Sequence, residues 1–424
     1  MTSHSAFSPR WPWLMRLPAL LALGLAGPAL AGTWVYVSNA DSQDISVLEL
    51  DRGSSTLKPL ETQAVGGTVM PLAVSPDKRF LYAALRSQPF RVVSFSIDAG
   101  SGRLKKLGEA PLADSMANID TDASGRWLFA ASYPGHKISV NAIDKEGKVG
   151  AIGQLLPTAP NAHAIHADAA NRFVLATSLG GDNVSVWRFD ASSGQLTAHS
   201  PALIQTPAKS GSRHFVWDKA QKYLYLLGEL DASLQVYAWD GATGTLRPLQ
   251  STTTLPPGFG GKPWAADLHL SPDGRYLYAS ERTSSTLSRF RVDPATGLLQ
   301  PLGQTETEKT PRGFAIDPSG RYLVAVGQES HSATLYAIME GIAALHGDAR
   351  RRAIAAIDPG VRLDLAAISE RLRRQQPQVQ AATTRVYDTY LRANRVADGT
   401  ASYGRALTLI LAPPFRDAIA EYRH

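Results

Sequence analysis

The sequence predicts an all-β protein, a seven-bladed β-propeller followed by a C-terminal helical segment. One motif recurs along the chain, in which a basic residue precedes an aromatic residue and a short apolar run. The basic residues are Arg79, Arg126, Arg172, Lys222, Arg275 and Arg321, separated by 47, 46, 50, 53 and 46 residues. A period of this size with four short strands per unit is typical of propeller blades and fits helical solenoids poorly. One unit cannot bury both faces of its sheet, so the units must stack around an axis.

Each unit contains the same series of strands and turns. In the fifth complete unit an apolar run ends at Leu270, and Ser271-Pro272-Asp273-Gly274 follows. Pro presets φ in such a turn and Gly accepts its positive φ. Alternating segments over residues 275–280 and 286–292 then predict the second and third strands.

The first unit is incomplete. Residues 34–50 predict the second and third strands of a blade whose first strand is missing. This half blade brings the total to seven if a C-terminal segment returns to supply the inner strand. We therefore expect a closing strand after Ile338, although no segment there obviously matches one.

Residues 1–31 are predicted to be a signal peptide. Arg10 and Arg16 precede an apolar run over residues 17–26, and Ala29-Leu30-Ala31 forms an A-x-A cleavage site. The run falls well short of the roughly 20 residues of a membrane span. We expect a periplasmic or secreted protein without stable membrane insertion once the leader is removed.

Composition excludes several classes of site. The chain has no cysteine, so disulfides, thiolate metal sites and cysteine nucleophiles are excluded. Its net charge of +6 comes from the leader and from residues 339–424, and residues 32–338 hold 28 basic and 28 acidic residues. Nucleic-acid binding needs a concentrated basic surface, which this neutral body does not suggest.

The chain changes character after Ile338. All 12 lysines lie before this point, and Arg and Ala dominate beyond it. Apolar residues such as Leu363, Ile368 and Leu372 predict two or three helices, with breaks at residues 358–360 and 413–414. We divide the chain into a leader (1–31), a propeller (32–338) and an Arg/Ala-rich helical tail (339–424). The tail is an appendage, a fusion or a frameshift product, and the abrupt change inside a blade favours the last two.

Polar residues on inner strands are candidate site residues, because apolar residues are expected there. His163 and His166 would point to opposite faces of a strand, so they are not expected to share a metal. Arg213, Arg282 and Arg312 would together form an anion-binding opening, since guanidinium groups match phosphate and carboxylate.

Four segments carry a resemblance to a known family. They are SPDKRFLY, SRHFVWDKAQKYLYLLGELDASLQVY, WAADLHLSPDGRYLYASERT and PRGFAIDPSGRYLVAVGQESH. Across residues 33–338 the sequence resembles the seven-bladed propeller lactonases, a family that includes bacterial 6-phosphogluconolactonases and fungal carboxymuconate-cyclising enzymes. The resemblance implies a carboxylic ester hydrolase that opens 6-phosphogluconolactone or a related aldonolactone.

The resemblance also implies a set of site residues. The catalytic residues would be His163, Arg213, Glu229 and Arg282. The substrate-binding candidates are Trp264, His269, Arg312 and His331, of which His269 and His331 are also explained by hydrogen bonds between blades. A mechanism consistent with these residue types is that the arginines bind the substrate and the oxyanion, while His163 or Glu229 activates water. No cofactor and no metal are required.

Two alternatives stay open at this level. Phosphorylated gluconolactone is a cytoplasmic intermediate, whereas the leader predicts export, so the substrate could instead be an unphosphorylated aldonolactone. A different class of function is a non-catalytic periplasmic propeller that binds a protein or a cell-wall ligand. The WD and kelch propeller classes are disfavoured, because their Gly-His and paired-glycine signatures do not recur here.

Overall fold

The computed structural model describes residues 32–338 and, as backbone only, residues 357–364. Every regular element in these two ranges is a β-strand. The strands form seven antiparallel sheets, in which strands adjacent in sequence pair with one another.

The strand bounds follow the predicted repeat closely. The first sheet contains β1 (Thr33–Asn39), β2 (Asp44–Asp51) and β3 (Thr56–Ala64). The second contains β4 (Val69–Val74), β5 (Phe80–Leu85), β6 (Arg91–Ile97) and β7 (Leu104–Pro111). The third contains β8 (Met116–Thr121), β9 (Trp127–Ser132), β10 (Lys137–Ile143) and β11 (Val149–Pro157). The fourth contains β12 (Ala162–Ala167), β13 (Phe173–Ser178), β14 (Asn183–Asp190) and β15 (Gln195–Gln205).

The last three sheets repeat the pattern. The fifth contains β16 (Ser212–Trp217), β17 (Tyr223–Gly228), β18 (Ser233–Asp240) and β19 (Thr245–Thr253). The sixth contains β20 (Ala265–Leu270), β21 (Tyr276–Glu281), β22 (Thr286–Val292) and β23 (Leu299–Glu306). The seventh contains β24 (Pro311–Ile316), β25 (Tyr322–Gly327), β26 (Ser332–Ile338) and β27 (Ile357–Asp364). The first strand of each complete sheet contacts the first strand of the next, so these six strands form the inner wall of a seven-bladed propeller.

The recurring motif builds the hairpin between the first and second strands. Asp218 directly follows the first strand of the fifth sheet, and its Oδ1 accepts hydrogen bonds from the backbone N–H groups of Lys222 (2.7 Å) and Tyr223 (2.6 Å). In the sixth sheet, the predicted turn closes with a bond from Gly274 N to Ser271 O of 2.8 Å, and Gly274 has a φ of 73°.

In four blades the aromatic residue of the motif packs on a turn glycine of the next blade. The ring of Tyr223 lies on Gly297, which has a φ of 70°, and its hydroxyl donates to the Ala295 carbonyl at 2.7 Å. A Cβ at position 297 would lie 2.3 Å from the Tyr223 ring. The equivalent pairs are Phe80 with Gly147, Trp127 with Gly194, and Phe173 with Gly244. The repeated motif therefore reflects a packing contact between blades as well as the pattern of strands within one blade.

The core lies between neighbouring sheets. Phe129 and Ile138 of the third sheet, for example, share a buried cluster with Ile165 and Val174 of the fourth. Each sheet uses both faces in this way, which explains the nearly continuous apolar second strands.

The half blade at the start of the chain is confirmed and extended. The first sheet has three strands, since β3 adds an outer strand that the sequence did not predict, and no described strand pairs with the free edge of β1. The seventh and first sheets are neighbours, because the Tyr322 hydroxyl contacts Ser55 Oγ at 2.5 Å and the Arg52 carbonyl at 3.1 Å.

The predicted helix around Leu363 is wrong, and the predicted break at residues 358–360 lies within a strand. Residues 357–364 form β27, which pairs with β26 as the outer strand of the seventh sheet rather than closing the first. Pro359 is opposite Tyr336, beside a shift in register, and an outermost strand tolerates Pro because the missing N–H faces away from the sheet. The closing strand and the other predicted helices of residues 339–424 lie outside the described residues.

Candidate active site

A bulge near the start of each inner strand positions the candidate residues. In β12, Ala162 is opposite Ser178 and Ile165 is opposite Ala176, so two residues face one. The inner strands β4, β8, β16, β20 and β24 show register shifts at the same point. Bulges redirect side chains next to active sites in many β-proteins.

Two equivalent positions in the repeat meet at this end of the propeller. His163, Arg213 and Arg312 are each the second residue of an inner strand. Glu229 and Arg282 each follow the end of a second strand directly. Because the first two strands of a blade are antiparallel, the start of one lies beside the end of the other. The topology therefore brings together residues that are far apart in sequence.

A carboxylate held by two arginines forms the centre of the site. Glu229 Oε2 accepts a 2.6 Å hydrogen bond from Arg213 Nε and lies 3.0 Å from Arg282 Nη2. Arg213 also donates to the Ala266 carbonyl, and only 2% of its side chain is exposed. Burial works to raise the pKa of Glu229, but the two arginines outweigh it and hold that pKa below its usual value. Glu229 is therefore ionised at neutral pH.

Trp264 covers this charged cluster. Its indole Nε1 donates to Glu229 Oε1 at 3.2 Å, and its ring lies 3.8 Å from the guanidinium carbon of Arg282. Arg282 is fixed further by hydrogen bonds of 3.0 Å to the carbonyls of Trp264 and Ala265. Trp264 is 39% exposed, so it offers an apolar surface beside a fixed carboxylate.

His163 is a buried, uncharged imidazole. Its ring lies edge-on to Tyr133 at 6.0 Å and 5.0 Å from the ring of His214, between centroids. Burial lowers the pKa of His163 well below the ordinary histidine value, and the positive charge of Arg213 lowers it further. The ring is therefore neutral at neutral pH, and one of its nitrogens carries a lone pair.

A second polar cluster lies one step further along the inner strands. Asp267 Oδ1 is 3.0 Å from His214 Nδ1, and Asp267 Oδ2 is 3.1 Å from His269 Nε2. Burial would raise the pKa of Asp267, but His269 and His214 outweigh it and hold the carboxyl ionised. His269 also packs against Phe314, with 4.8 Å between ring centroids.

Arg312 is a cation that lacks a direct partner among the described residues. It forms no hydrogen bond and no ion pair with them, although it is half-buried. Burial lowers its pKa to about 10, and the neighbouring charges of Arg213 and Arg86 contribute. Arg86 donates through Nε to Ser115 Oγ at 2.9 Å. The opening therefore has more positive than negative charge.

The structure groups the predicted residues in three ways. Arg213, Glu229, Arg282 and Trp264 touch one another, and Arg312 and His163 lie within electrostatic range of them. His269 belongs to the Asp267 cluster instead. His331 is exposed, in the turn between β25 and β26 with a φ of 50°, and no described contact joins it to the other site residues.

Sequence reasoning missed four residues of this region. Arg86 occupies the position of Glu229 and Arg282 in the second sheet, directly after β5, and Tyr133 occupies it in the third. His214 and Asp267 stand at the same position of neighbouring inner strands. A comparison of the repeats position by position would have found all four.

Residues 32–338 and 357–364 contain neither a candidate metal cluster nor a candidate membrane-spanning helix. No three His, Asp or Glu side chains there are grouped so that they could hold a metal ion. No helix in that part of the chain has the length and apolar character of a membrane span.

Comparison with known proteins identifies related sequences. The family model described as lactonase, seven-bladed β-propeller, matches residues 30–353, and a model described as a protein of unknown function matches residues 330–411. A 6-phosphogluconolactonase of Pectobacterium carotovorum is 40% identical over 305 residues, which cover 72% of this chain and 90% of that protein. One from Yersinia pestis is 40% identical over 304 residues, with the same coverage of 72% and 90%.

A solved structure shows the same architecture. The periplasmic gluconolactonase PpgL of Pseudomonas aeruginosa is 28% identical and has a TM-score of 0.68. The similarity covers 73% of this chain and 92% of that protein.

Proposed function

The chain belongs to the seven-bladed β-propeller lactonase family, and from this premise we propose that it hydrolyses a sugar lactone, 6-phosphogluconolactone or a related aldonolactone, to the open-chain acid. The observation that carries the proposal is the convergence of Arg213, Glu229, Arg282 and Trp264 from consecutive blades at one opening, with His163 nearby. Sugars commonly bind where an aromatic face lies beside fixed hydrogen-bonding groups, and this arrangement provides both.

His163 acts as the general base. Its neutral imidazole takes a proton from water while the water oxygen attacks the carbonyl carbon of the lactone. The tetrahedral oxyanion then collapses and expels the ring oxygen, which receives the proton from His163. The product is the hydroxy acid, and His163 returns to its neutral form.

Glu229 acts as a fixed acceptor. Arg213 and Arg282 hold the pKa of the carboxyl below its usual value, so it stays ionised and serves as an acceptor. Its Oε1 receives only the 3.2 Å contact from Trp264 among the described residues, which leaves acceptor capacity for a sugar hydroxyl or for the attacking water.

Arg312 binds the anionic part of the substrate. Arg213 and Arg282 already bind Glu229 and backbone carbonyls. The anion-binding role expected of the three arginines therefore falls mainly to Arg312, with Arg86 nearby. The anion is the oxyanion of the reaction or a phosphate on the sugar. Because Arg312 has no ion-pair partner within residues 32–338, its charge favours the phosphorylated lactone over the neutral one.

Residues 1–31 direct the protein to the periplasm in this proposal, and the periplasmic location of PpgL supports it. An exported enzyme would meet lactones that are outside the inner membrane. Substrate charge and compartment are therefore separate questions, and each needs its own measurement.

The test is acid release by residues 32–424, followed with a pH indicator on 6-phosphogluconolactone and on gluconolactone, with spontaneous opening subtracted. We expect turnover of at least one lactone, reduced about 10²-fold or more in His163→Ala. His199→Phe is the matched control, because His199 is a buried histidine on the outer strand β15. If neither lactone is turned over, the alternative function applies, in which the propeller binds a protein or a cell-wall ligand without catalysis.

A further inference from the structure

The sixth sheet has an arginine at a position that is uncharged in every other sheet. In each sheet, the residue two positions after the first aromatic residue of the second strand is paired with a residue of the third strand. In the sixth sheet this pair is Tyr278 and Arg289. The residues that occupy the position of Arg289 in the other six sheets are all buried, and they are Val47, Ser94, Val140, Val186, Val236 and Leu335. Arg289 therefore places a charge where the fold otherwise packs small or apolar side chains.

Arg289 faces the seventh sheet. Side chains directly opposite each other lie on the same face of an antiparallel sheet, and so do residues two apart in a strand. Arg289 thus shares its face with Tyr278 and Leu287, which pack in a buried cluster with Leu323 and Tyr336 of the seventh sheet. The guanidinium lies in the packed layer between the sixth and seventh sheets.

The charge of Arg289 is buried without a partner. Only 4% of the residue is exposed, and its Nε and Nη1 atoms are buried without a hydrogen bond. Within the described ranges its side chain forms no hydrogen bond and no ion pair. Burial lowers the pKa of Arg289, and Tyr278 rather than a carboxylate opposes this effect. A guanidinium keeps its proton in proteins, so this charge is not removed by titration, and an uncompensated buried charge destabilises the fold.

Tyr278 supplies a second donor on the same face. In the first and fifth sheets the equivalent residues, Tyr36 and Tyr225, donate their hydroxyls to a turn carbonyl of the next sheet at 2.8 and 3.0 Å. The hydroxyl of Tyr278 forms no hydrogen bond with any residue of the described ranges. Burial raises the pKa of Tyr278 to about 12, so the hydroxyl keeps its proton at neutral pH. Arg289 and Tyr278 therefore present N–H and O–H donors side by side.

We propose that Arg289 and Tyr278 bind a small monovalent anion, chloride, between the sixth and seventh sheets. Chloride accepts hydrogen bonds from both side chains and neutralises the guanidinium. A water molecule leaves the charge uncompensated and needs acceptors for its own hydrogens, which two donor groups do not provide. The close packing of the layer favours a single-atom anion over phosphate or sulfate. The site is independent of lactone hydrolysis, since neither residue belongs to the candidate active site.

Thermal unfolding of residues 32–424 tests the proposal. Chloride is titrated against methanesulfonate at constant ionic strength, so that general salt effects are the same throughout. A ligand that binds only the folded protein raises its stability with concentration. We expect the midpoint to rise by about 2–5 °C as chloride reaches about 20 times its dissociation constant, which the same curve provides. Midpoints that coincide at every chloride concentration overturn the proposal.

Replacement of the arginine tests the assignment. Arg289→Leu introduces the residue type that the seventh sheet has at this position, where Leu335 stands. Without chloride the variant should unfold at the same temperature as the wild type or higher, because an apolar side chain replaces an unpaired charge. It should also lose the chloride dependence. Arg291→Leu is the matched control, since Arg291 is an exposed arginine two residues further along β22, and it should keep the full chloride shift. Equal chloride shifts in Arg289→Leu and the wild type overturn the proposal.

Tyr278→Phe gives a second variant in case Arg289→Leu does not fold. It removes one hydroxyl from a buried ring, so the dissociation constant for chloride should rise about 10-fold or more. An unchanged constant contradicts the proposed site.

Bromide locates the anion directly, because its anomalous scattering distinguishes it from water. In crystals grown from bromide we expect a peak in contact with the Arg289 guanidinium and the Tyr278 hydroxyl. A water molecule at that place, or bromide at exposed arginines only, overturns the proposal.

Discussion

Arg213 donates its Nε–H to Glu229 at 2.6 Å from a side chain that is almost wholly buried. The two residues belong to one blade, at the start of β16 and directly after β17, and the bulge in β16 separates Ser212 from Phe215 in the register. The pair is thus a local product of the hairpin, to which Arg282 is added by the next blade.

Removal of Arg213 should cost both stability and activity. Arg213→Met leaves Glu229 without its shortest contact, and breaking a buried pair from one side typically costs about 3–5 kcal/mol. We expect a loss toward the lower end of this range, because Glu229 is 13% exposed and keeps Arg282. Urea unfolding followed by tryptophan fluorescence measures it. Arg79→Met is the control at an exposed arginine. Equal urea midpoints for the two variants would show that the Arg213–Glu229 pair does not stabilise the fold.

Substitution of Arg312 should separate substrate binding from folding. Arg312→Gln removes a cation that has no direct partner in the described structure, so the unfolding midpoint should stay the same or rise. A charge-assisted hydrogen bond contributes about 1.5–3 kcal/mol, which corresponds to a loss of about 10- to 150-fold in kcat/KM on the phosphorylated lactone.

Comparison of two substrates locates the effect of Arg312. If this residue binds the phosphate, turnover of gluconolactone by Arg312→Gln should fall much less than turnover of 6-phosphogluconolactone. Equal losses on both substrates would place Arg312 at the oxyanion instead. Equal kcat/KM to wild type on both would remove it from the site.

The pH dependence of catalysis should lack a histidine limb near pH 6.5. The pKa of His163 is lowered well below 6.5 by burial and by Arg213, so the base stays neutral as pH falls through that value. We expect kcat/KM to be flat from pH 7.5 to 6, measured by acid release with the uncatalysed rate subtracted. A drop centred near 6.5 would show that the base is an ordinary, solvated histidine.

The same shift has a consequence for stability. The folded protein disfavours protonation of His163 and His214, whereas the unfolded chain binds those protons near pH 6.5, so the two residues reduce stability as pH falls below that value. His269 acts in the opposite direction, because Asp267 outweighs burial and raises its pKa. His163→Phe and His214→Phe should therefore weaken the loss of stability on acidification, measured by urea midpoints at pH 7 and pH 5.

A glycine pair tests how the blades are joined. Gly297→Ala would place a Cβ 2.3 Å from the Tyr223 ring, whereas Gly274 has a similar φ of 73° and nothing within 4 Å of its Cβ position. Both substitutions strain a positive φ, at a cost of about 1–2 kcal/mol. Gly297→Ala should be further destabilised by about 1–3 kcal/mol of overpacking. Equal thermal midpoints for Gly297→Ala and Gly274→Ala would show that the Tyr223 ring moves to accommodate the added methyl group.

The repeat made the architecture predictable from the sequence. The aromatic residue of the motif covers a turn glycine of the next blade in four of the repeats, and the Asp or Ser before the motif closes the hairpin. The units meet these local requirements in the same way. The number of seven blades and the incomplete first sheet could therefore be predicted from the spacing of the motif. The helix expected around Leu363 failed because the open edge of β26 is a tertiary feature that the local pattern does not record.

The candidate site depended on the tertiary structure to a greater extent. Residue patterns at the starts and ends of strands suggested Arg213, Arg282, Arg312 and Trp264. The family resemblance supplied the roles expected of His163 and Glu229. Only the fold decided that Arg213 and Arg282 bind Glu229, whereas Arg312 has no direct partner in the described part of the chain. The fold also decided that His269 pairs with Asp267. Charge pairing depends on distances of a few ångströms between side chains of neighbouring blades. The bulges that set those distances cannot be predicted from the alternation of polar and apolar residues in a single strand.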